Sequence, residues 1–514
     1  MVKKQIVNIV NFLRGVEPRC DTDLITPMKE QLRLMEKYNL RGTFLVQYDA
    51  LINPAFTEVL KMADKSRIEI GVWFEVVEPL CEKAEIPWTG RYPWDWHVHC
   101  GFSVGYDKKQ REKLTDILFE DFKEVFGYYP KSFGAWAFDA HTLNYANEKY
   151  GLDAACNCKD QWGTDGYTLW GGYYNQAYYP SKSNAFAPAQ MAENQIKTPV
   201  FRMLGCDPIY QYDAGVDVAK DKSTNLQGVI SLEPVYNESG GSKTWVDWYF
   251  KENFSKNCLA FSYTQAGQEN SFGWPSMKDG LEYQFKKISE MEKHGQVEAL
   301  TLGDGGRWYK SRFDTTPPTT VAALSDWKKE GRTSVWYNSK NYRINLYTEN
   351  GRFHIRDIYL FREDYIERYI DSVASGNELT YDNLPFVDGN RFCGKNLRSG
   401  MYLSEGGTEY KDVLYSEKNS TAVVTYTETP FGNVTFTMSE EGVNIKAEKP
   451  FKLRNFYDKS AEFLPKMTAA GDRINLNHNG YDYAVRLENA AAHGDIITPK
   501  NSELTLKFRK EESK

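Results

Sequence analysis

The 514-residue sequence has no apolar run of about 18 residues, so it predicts no membrane span. It also lacks a P-loop, a GxGxxG turn after a strand and a GxSxG elbow. These absences argue against nucleotide-dependent enzymes and serine hydrolases. The net charge of −7 gives no electrostatic footprint for nucleic acid. None of these patterns requires a cofactor.

Cysteine and histidine are scarce. The eight cysteines show no zinc-ribbon spacing, and Cys156 and Cys158 do not form a CxxC motif, which favours free thiols in a reducing compartment. The N-terminal stretch MVKKQIVNIVNFLRG has too short an apolar part for a signal peptide and lacks a cleavage site. We therefore expect a cytoplasmic protein from the chain as it stands, or a periplasmic one if a leader has been removed.

Short apolar runs that end in polar residues recur through the first 310 residues, and helical patterns separate several of them. They predict strands near 5–13, 43–49, 68–76, 133–139, 153–158, 228–233, 258–264 and 297–303, with amphipathic helices at 25–40, 108–127 and 276–295. Alternating strands and helices indicate a parallel sheet. The sequence predicts a TIM-like (β/α)7 or (β/α)8 barrel over residues 1–313, with long loops at 79–107 and 160–227.

The helical patterns thin out after the segment DTTPPTT at 314–320. Alternating polar and apolar residues follow, with turn signals such as Glu349-Asn350-Gly351. Residues 319–514 are therefore predicted to form a C-terminal antiparallel β-sandwich, with one helix near 363–374.

Carboxylates lie at the predicted C-terminal ends of seven strands: Glu17, Asp49, Glu75, Asp139, Asp160, Glu233 and Asp304. In an α/β barrel these ends form the rim of the active site. Glycoside hydrolysis needs two such groups, an acid and a base or nucleophile. We take Glu75, Asp139, Glu233 and Asp304 as candidate catalytic residues. Each could instead cap a helix or pair with an arginine.

Only three of the seven histidines, His97, His99 and His141, precede residue 290. In DWHVH, an extended backbone would place Asp95, His97 and His99 on one face as a metal set. A hydrogen-bonded cluster without metal is the alternative. If the strand before it continues, His141 shares a face with Asp139 and could act as a general base.

Arginines and aromatic residues collect in the same regions, which suggests a carbohydrate site and, with paired arginines, an acidic sugar such as a uronate or sialate. The arginines could equally neutralise the rim carboxylates, and the aromatic loop could be structural. The candidate substrate-binding residues are Arg14, Glu17, Arg91, Trp96, Trp162, Asp165, Tyr167, Trp170, Arg202, Arg307 and Trp308.

The stretches VNFLRGVEPR, EIGVWFEVVEPL, RYPWDWHVHCGFSVGY and FGYYPKSFGAWAFDAHTLNY resemble an uncharacterised gut-bacterial family, as does NCKDQWGTDGYTLWGGYYNQAYYPS. Its members are provisionally labelled glycoside hydrolases or deacetylases. The resemblance covers roughly residues 5–310 and implies the barrel of polysaccharide deacetylases. Those enzymes bind one metal through two Asp after the first strand and an HxxxH motif. Here the corresponding segments read NFLRGVE and HVH, so the metal set departs from the pattern.

The expected function is a glycoside hydrolase that cleaves an oligosaccharide or glycan by carboxylate acid/base catalysis, with a carbohydrate as its partner molecule. A metal-dependent carbohydrate deacetylase, using a divalent ion such as zinc, is the first alternative. A non-catalytic glycan-binding protein is the second. The oligomeric state stays open.

Overall fold

A computed structural model describes residues 3–164, 167–214, 228–255, 258–395 and 397–509, without the side chains of residues 163–168. The first part alternates strands with helices. Its strands are β1 Lys4–Leu13, β2 Gly42–Val46, β3 Ile68–Trp73, β4 Ser132–Gly134, β5 Ala154–Asn157, β6 Gln161–Thr164, β7 Tyr167–Leu169, β8 Ala177–Tyr178, β9 Pro180–Ser181, β10 Asn184–Pro188, β11 Val200–Arg202, β12 Phe261–Ala266 and β13 Glu298–Leu300. Its helices are α1 Ile25–Lys37, α2 Tyr48–Leu51, α3 Pro54–Lys61, α4 Glu78–Lys83, α5 Val98–Gly101, α6 Lys108–Phe126, α7 Ala140–Tyr150, α8 Lys243–Phe254, α9 Trp274–Lys293 and α10 Leu302–Arg312.

Nine strands form a nearly closed barrel whose pairing order is β12-β1-β2-β3-β4-β5-β11-β8, with β13 also paired to β1. The pairs from β12 through β11 are parallel, and β8 adds to β11 in the antiparallel sense. Between β11 and β12 the backbone ladder is interrupted, and Leu204 N donates to the Gln265 side chain at 2.8 Å. The prediction of an α/β barrel with mostly parallel strands is therefore confirmed.

The helices begin and end where local chemistry favours it. Helix α6 starts with a capping box between Asp107 and Gln110 and ends at Gly127, whose φ of 84° is a left-handed conformation that glycine adopts easily. Its apolar side packs on the outside of the barrel through Leu114 and Leu118. The site is therefore built on a rigid scaffold.

The last strand and helix close the N-terminal end of the barrel. Strand β13 pairs with the first half of β1, over residues 6–8, and β2 pairs with the second half. The Glu69 carboxylate then accepts hydrogen bonds from Gly303 N at 2.9 Å and Thr43 Oγ1 at 2.9 Å. Helix α10 is consequently seated at the start of the strands, away from their C-terminal ends.

The C-terminal region is antiparallel β structure in two sheets that share one apolar core. The first sheet has the order β14-β15-β16-β17-β19-β25-β30-β29, with β18 and β20 also paired to β17, and the second has the order β21-β22-β23-β24-β31-β28-β27-β26. Their bounds are β14 Thr319–Ala323, β15 Thr333–Asn338, β16 Tyr342–Glu349, β17 Arg352–Leu360, β18 Leu384–Asp388, β19 Gly400–Tyr402, β20 Thr408–Glu409, β21 Val413–Lys418, β22 Thr421–Thr429, β23 Gly432–Ser439, β24 Gly442–Ala447, β25 Leu453–Phe456, β26 Lys466–Ala470, β27 Arg473–His478, β28 Tyr481–Glu488, β29 Ala490–His493, β30 Ile496–Pro499 and β31 Glu503–Lys507.

Two expected elements are wrong. In the predicted strand at 228–233, pairing is limited to a single bridge between Ser231 and Cys206. The predicted helix at 363–374 is a single 3₁₀ turn, Arg368–Ile370. All eight cysteines are free thiols. Among the described residues, every helix is too short or too polar to cross a bilayer.

Candidate active site at the barrel mouth

Side chains on the barrel strands alternate between the interior of the barrel and the surrounding helices. Interior positions on four strands are held by Phe12, Leu45, Trp73 and Tyr263. Because side chains alternate along a strand, every second residue after these four positions faces the same way. Beyond the strand ends, this alternation reaches Arg14, Gln47, Glu75 and Glu269. Hydrogen bonds join all four side chains. With Asp49, they are called the mouth cluster below.

Arg14 is the centre of the mouth cluster and is 1% exposed. Its Nε and Nη2 donate to the two carboxylate oxygens of Glu75 at 3.2 and 3.1 Å, and Nη1 donates to Glu269 at 2.7 Å. Gln47 Nε2 donates to Glu75 at 2.9 Å. One guanidinium thus holds two buried carboxylates on different edges, which is the geometry in which arginine binds anions most strongly.

Burial shifts the other two acids of the cluster towards their neutral forms. It raises the pKa of Glu269 to about 7, although the charge of Arg14 opposes the shift. It raises the pKa of Asp49 to about 6, against hydrogen bonds from the backbone N–H groups of Gly15 and Ala50. Carboxyl groups with such pKa values can donate or accept protons near neutral pH.

Aromatic rings form the floor beneath the cluster. Phe12 stacks on Trp73 with ring centroids 4.1 Å apart, and Trp136 meets both rings edge-on at 5.2 and 5.6 Å. Because all three are buried, the floor excludes water from the underside of Arg14. Electrostatic interactions in such surroundings are stronger than in water.

A ladder of alternating indole and guanidinium groups leads from the cluster to the surface. The Arg14 guanidinium carbon lies 4.0 Å from the ring centroid of Trp94, and that of Arg19 lies 4.9 Å from Trp94 and 5.2 Å from Trp96. Arg91 covers Trp96 from 4.9 Å. Arg19 and Arg91 are partly exposed, so this ladder forms the accessible rim.

Several buried polar atoms at the mouth have no hydrogen-bond partner among the described residues. They are Trp73 Nε1, Trp94 Nε1, Gln47 Oε1, Asp49 Oδ2 and both side-chain amide atoms of Gln268. Buried polar groups are nearly always hydrogen-bonded, and clusters of exceptions call for an explanation. Among the described residues, the hydrogen bonding of this end of the barrel is therefore incomplete.

The structure brings five predicted site residues to this mouth: Arg14, Glu17, Glu75, Arg91 and Trp96. Although burial opposes it, hydrogen bonds from Arg19 hold the pKa of Glu17 below its usual value. Arg91 forms a bidentate pair with Asp95, at 2.8 and 3.0 Å. Both rim arginines therefore have carboxylate partners within the protein, as the alternative interpretation expected.

Asp139 and His141 do not form the expected dyad. Helix α7 begins at Ala140, so the strand does not continue and the two side chains do not share a face. Asp139 is the N-cap, accepting from Thr142 N at 2.8 Å, and it pairs with Arg111 at 3.1 Å. His141 instead contacts Glu112 at 3.0 Å.

Asp304, Arg307 and Trp308 belong to α10, at the N-terminal end of the barrel, so their predicted place at the mouth is wrong. Asp304 pairs with Arg41 and Arg307 there. These residues follow β13, whose end lies beside the first half of β1. Because β13 ends beside the first half of β1, the residues that follow it lie at the N-terminal end of the barrel, opposite the mouth.

The aromatic segment after β5 joins the barrel to the C-terminal region. Trp170 is buried and its Nε1 donates to Asp388 at 2.9 Å. Asp160 is bridged by Arg202 at 2.6 Å and by Arg343 at 2.5 Å. Trp170 and Arg202 therefore make structural contacts within the protein, as the alternative to substrate binding predicted.

The remaining predicted residues lie elsewhere or outside the description. The ring of Trp162 meets Phe463 edge-on, with centroids 6.0 Å apart. Tyr167 is described through its backbone in β7 only, and Asp165 lies outside the described residues. Glu233 is buried in the connection between β11 and β12 and accepts from Ser231 Oγ at 2.6 Å. No hydrogen bond or ion pair joins Glu233 to the mouth cluster among the described residues.

The residues expected to hold a metal do not fit that role. His97 is the residue before the short helix α5, which contains His99, so the backbone of DWHVH does not stay extended over all three residues. His97 Nδ1 lies 3.6 Å from Asp95 Oδ1. Both oxygens of Asp95 are bound by Arg91, and the His97 and His99 ring centroids are 5.9 Å apart. Within the described ranges, no group of three or more His, Cys, Asp or Glu residues could hold a metal ion. Arg14 follows the first strand, where the deacetylase pattern has Asp.

Residues 105–319 match a Domain of Unknown Function with a solved structure, DUF3863. A structure from Parabacteroides distasonis, provisionally described as a glycoside hydrolase/deacetylase, aligns with 13% identity and a TM-score of 0.52 over 74% of this chain and 88% of that one. The chain shares the fold of that protein. The resemblance expected from the sequence is thereby confirmed as one of fold.

Two further structures are more distant. One from Mycobacterium smegmatis, provisionally described as a polysaccharide deacetylase, has 13% identity and a TM-score of 0.37 over 60% of this chain and 91% of its own. One from Pseudomonas aeruginosa, with a similar description, has 13% identity and a TM-score of 0.37 over 61% and 93%. No curated protein is significantly similar in sequence to this chain.

Glu269 is a residue of the mouth cluster that is absent from the site residues predicted from the sequence. It lies in the segment QAGQENSFGWP, after the predicted strand at 258–264. The signal was available, because counting by twos from the interior residue Tyr263 leads to Glu269.

Proposed function

We propose that this chain is a carbohydrate-active hydrolase that cleaves a glycosidic bond at the mouth cluster. The observation that carries the proposal is the pair of buried carboxylates, Glu75 and Glu269, held by one guanidinium at the C-terminal end of the strands. Arg14 binds the two carboxyl groups through different nitrogens, and glycosidases use two carboxyl groups, one as the acid and one as the base or nucleophile. The shared fold with a provisional glycoside hydrolase/deacetylase gives independent support.

The two carboxyl groups have different surroundings, and this difference suggests their roles. Glu269, whose pKa burial raises to about 7, is partly protonated at neutral pH and can transfer that proton to the oxygen of the departing sugar. Glu75, which accepts two hydrogen bonds from Arg14 and one from Gln47, is the candidate nucleophile or general base. Trp96 and Tyr92, stacked with centroids 6.0 Å apart, offer ring faces for a sugar at the rim.

The test is a hydrolysis screen of the full-length protein against a glycan library. Glu269→Gln and Glu75→Gln should each lower kcat/KM by about 10²- to 10⁴-fold, the usual range for an acid or base. The matched control is Glu298→Gln, which removes a half-exposed carboxylate at the other end of the barrel and should keep full activity. Wild-type rates in both mouth variants would remove the cluster from the mechanism.

The pH dependence gives a second measurement. Because Glu269 must be protonated to act as the acid, kcat/KM should fall as the pH rises through about 7. A profile that is flat from pH 6 to 9 would contradict this role.

Carbohydrate deacetylation is the second candidate. The structure that shares the fold is described as a glycoside hydrolase/deacetylase, a description that names both reactions. Acetylated glycans in the same library, assayed for released acetate and for new reducing ends, separate the two reactions. Repeating the assay with a chelator tests whether any turnover depends on a metal. Saturable glycan binding without either product would instead support a binding protein.

A further inference from the structure

The C-terminal region contains a cavity of about 580 Å³ between its two sheets. Strands β25 and β30 of the first sheet form one wall, and β26 and β27 of the second sheet form the other. It lies in a different part of the fold from the mouth cluster. The volume falls within the range of about 300–1,000 Å³ typical of small-molecule sites.

The deep part of this cavity is apolar. Phe386, Met401, Ile474 and Ile497 line it and are all at least nine-tenths buried, and the half-buried Met467 lies against them. Methionine side chains adapt to ligands of varied shape. Since this lining offers few hydrogen bonds, the part of a ligand that reaches the interior is apolar.

Two small residues, Ala469 and Gly494, also line the cavity. A Cβ atom added at Gly494 would meet no other atom within 4 Å. Ala469 on β26 also lines the cavity, in a strand whose side chains alternate between half-buried and exposed. Larger side chains at this position would occupy the gap between the sheets.

The charged residues that line the cavity carry one more positive charge than negative charge. Arg454 Nε donates to Asp495 at 2.8 Å, so these two charges compensate each other. Lys459, which also lines the cavity and is exposed, has no ion pair among the described residues. An ammonium group beside an apolar cavity complements a ligand that has an apolar body and an anionic head.

We propose that the cavity between the two C-terminal sheets binds a small organic anion, with its apolar body among Met401, Ile474 and Ile497 and its acidic head at Lys459. The site is independent of the barrel mouth and of the proposed hydrolysis. Its ligand is defined by chemistry: an aryl or alkyl group of cavity size that carries a carboxylate or sulfonate.

The probe is anilinonaphthalene sulfonate, with decanoate and decanol as competitors, titrated into the full-length protein. We expect saturable binding of one probe molecule, displaced by decanoate at lower concentration than by decanol. Lys459→Gln should weaken probe binding by about two- to fivefold, the effect of one exposed charge. Lys452→Gln, another exposed lysine of this region, is the matched control.

Filling the cavity tests the location. Ala469→Phe should abolish the saturable phase, whereas Thr468→Phe, on the adjacent exposed position of β26, should retain it. A thermal scan checks that both variants fold, and Lys459→Gln decides the question if Ala469→Phe does not. No saturable binding, or binding unchanged in both Ala469→Phe and Lys459→Gln, would overturn the proposal. Neither result affects the hydrolysis test, because that assay depends on Glu75 and Glu269.

Discussion

Replacing Glu269 by Gln should change the pH dependence of stability in a direction that the structure fixes. The Glu269 carboxyl is 3% exposed, and its pKa is raised from 4.5 to about 7 because burial disfavours its charged form. In the folded state it therefore holds its proton at pH values where the unfolded chain has released it. By linkage, the folded state loses stability as the pH rises from about 4.5 to about 7.

The magnitude follows from the shift. A rise from 4.5 to about 7 corresponds to about 3 kcal/mol, and about 2–3 kcal/mol of this falls between pH 5 and 8. Glutamine does not titrate, so the variant escapes this loss. Relative to the wild type, Glu269→Gln should gain about 2–3 kcal/mol in free energy of unfolding between pH 5 and 8.

Urea unfolding followed by tryptophan fluorescence at both pH values measures this difference. Glu298→Gln, at the opposite end of the barrel, controls for the general loss of one carboxylate and should show no such gain. An equal effect of Glu269→Gln at both pH values, or a relative loss at pH 8, would refute the reasoning from burial.

Three further predictions concern buried charges and the contact between the two regions. Arg14→Met leaves Glu75 and Glu269 buried without their cation and should cost about 3–5 kcal/mol, more at pH 8 than at pH 5, as urea unfolding would reveal. Trp170→Phe removes the hydrogen bond to Asp388 and should cost about 1–3 kcal/mol without weakening glycan binding, as calorimetry on both properties would measure. Burial lowers the pKa of His354 to about 3, so the C-terminal region should lose about 2 kcal/mol as the pH falls from 6.5 to 4.5, and His354→Phe should reduce that loss in circular dichroism melts.

Local patterns predicted the barrel well because its strands are buried on both faces and read as apolar runs. The strand expected at 5–13 is Lys4–Leu13, and the strand expected at 43–49 is Gly42–Val46. The same reading predicted that Arg14 and Glu75 face the mouth, since they follow strands that run the full height of the barrel. The proposed border near residue 314 and the catalytic roles remain predictions.

The errors came from information that a strand pattern does not contain. Asp304 follows a short strand that ends near the bottom of the barrel, and the sequence does not record how high a strand sits. Asp139 follows an apolar run that turns into a helix, where an N-cap carboxylate looks the same in sequence as a catalytic one. The aromatic segment around Trp170 has the composition of a sugar site, but its partner, Asp388, lies more than 200 residues later.

The charge that follows the first strand determines what the mouth can do. Two carboxylates buried together without a cation would both be driven towards their neutral forms. The Arg14 guanidinium, hydrogen-bonded twice to Glu75 and once to Glu269, divides its stabilisation unequally between them. Burial still raises the pKa of Glu269 to about 7, so this acid can serve as a proton donor near neutral pH. If this inequality is the basis of activity, Arg14→Lys should impair turnover severely while keeping the positive charge, because an ammonium group cannot bind both oxygens of Glu75 in the same plane. Full activity of Arg14→Lys would mean that charge alone, without the fork geometry, supports the reaction.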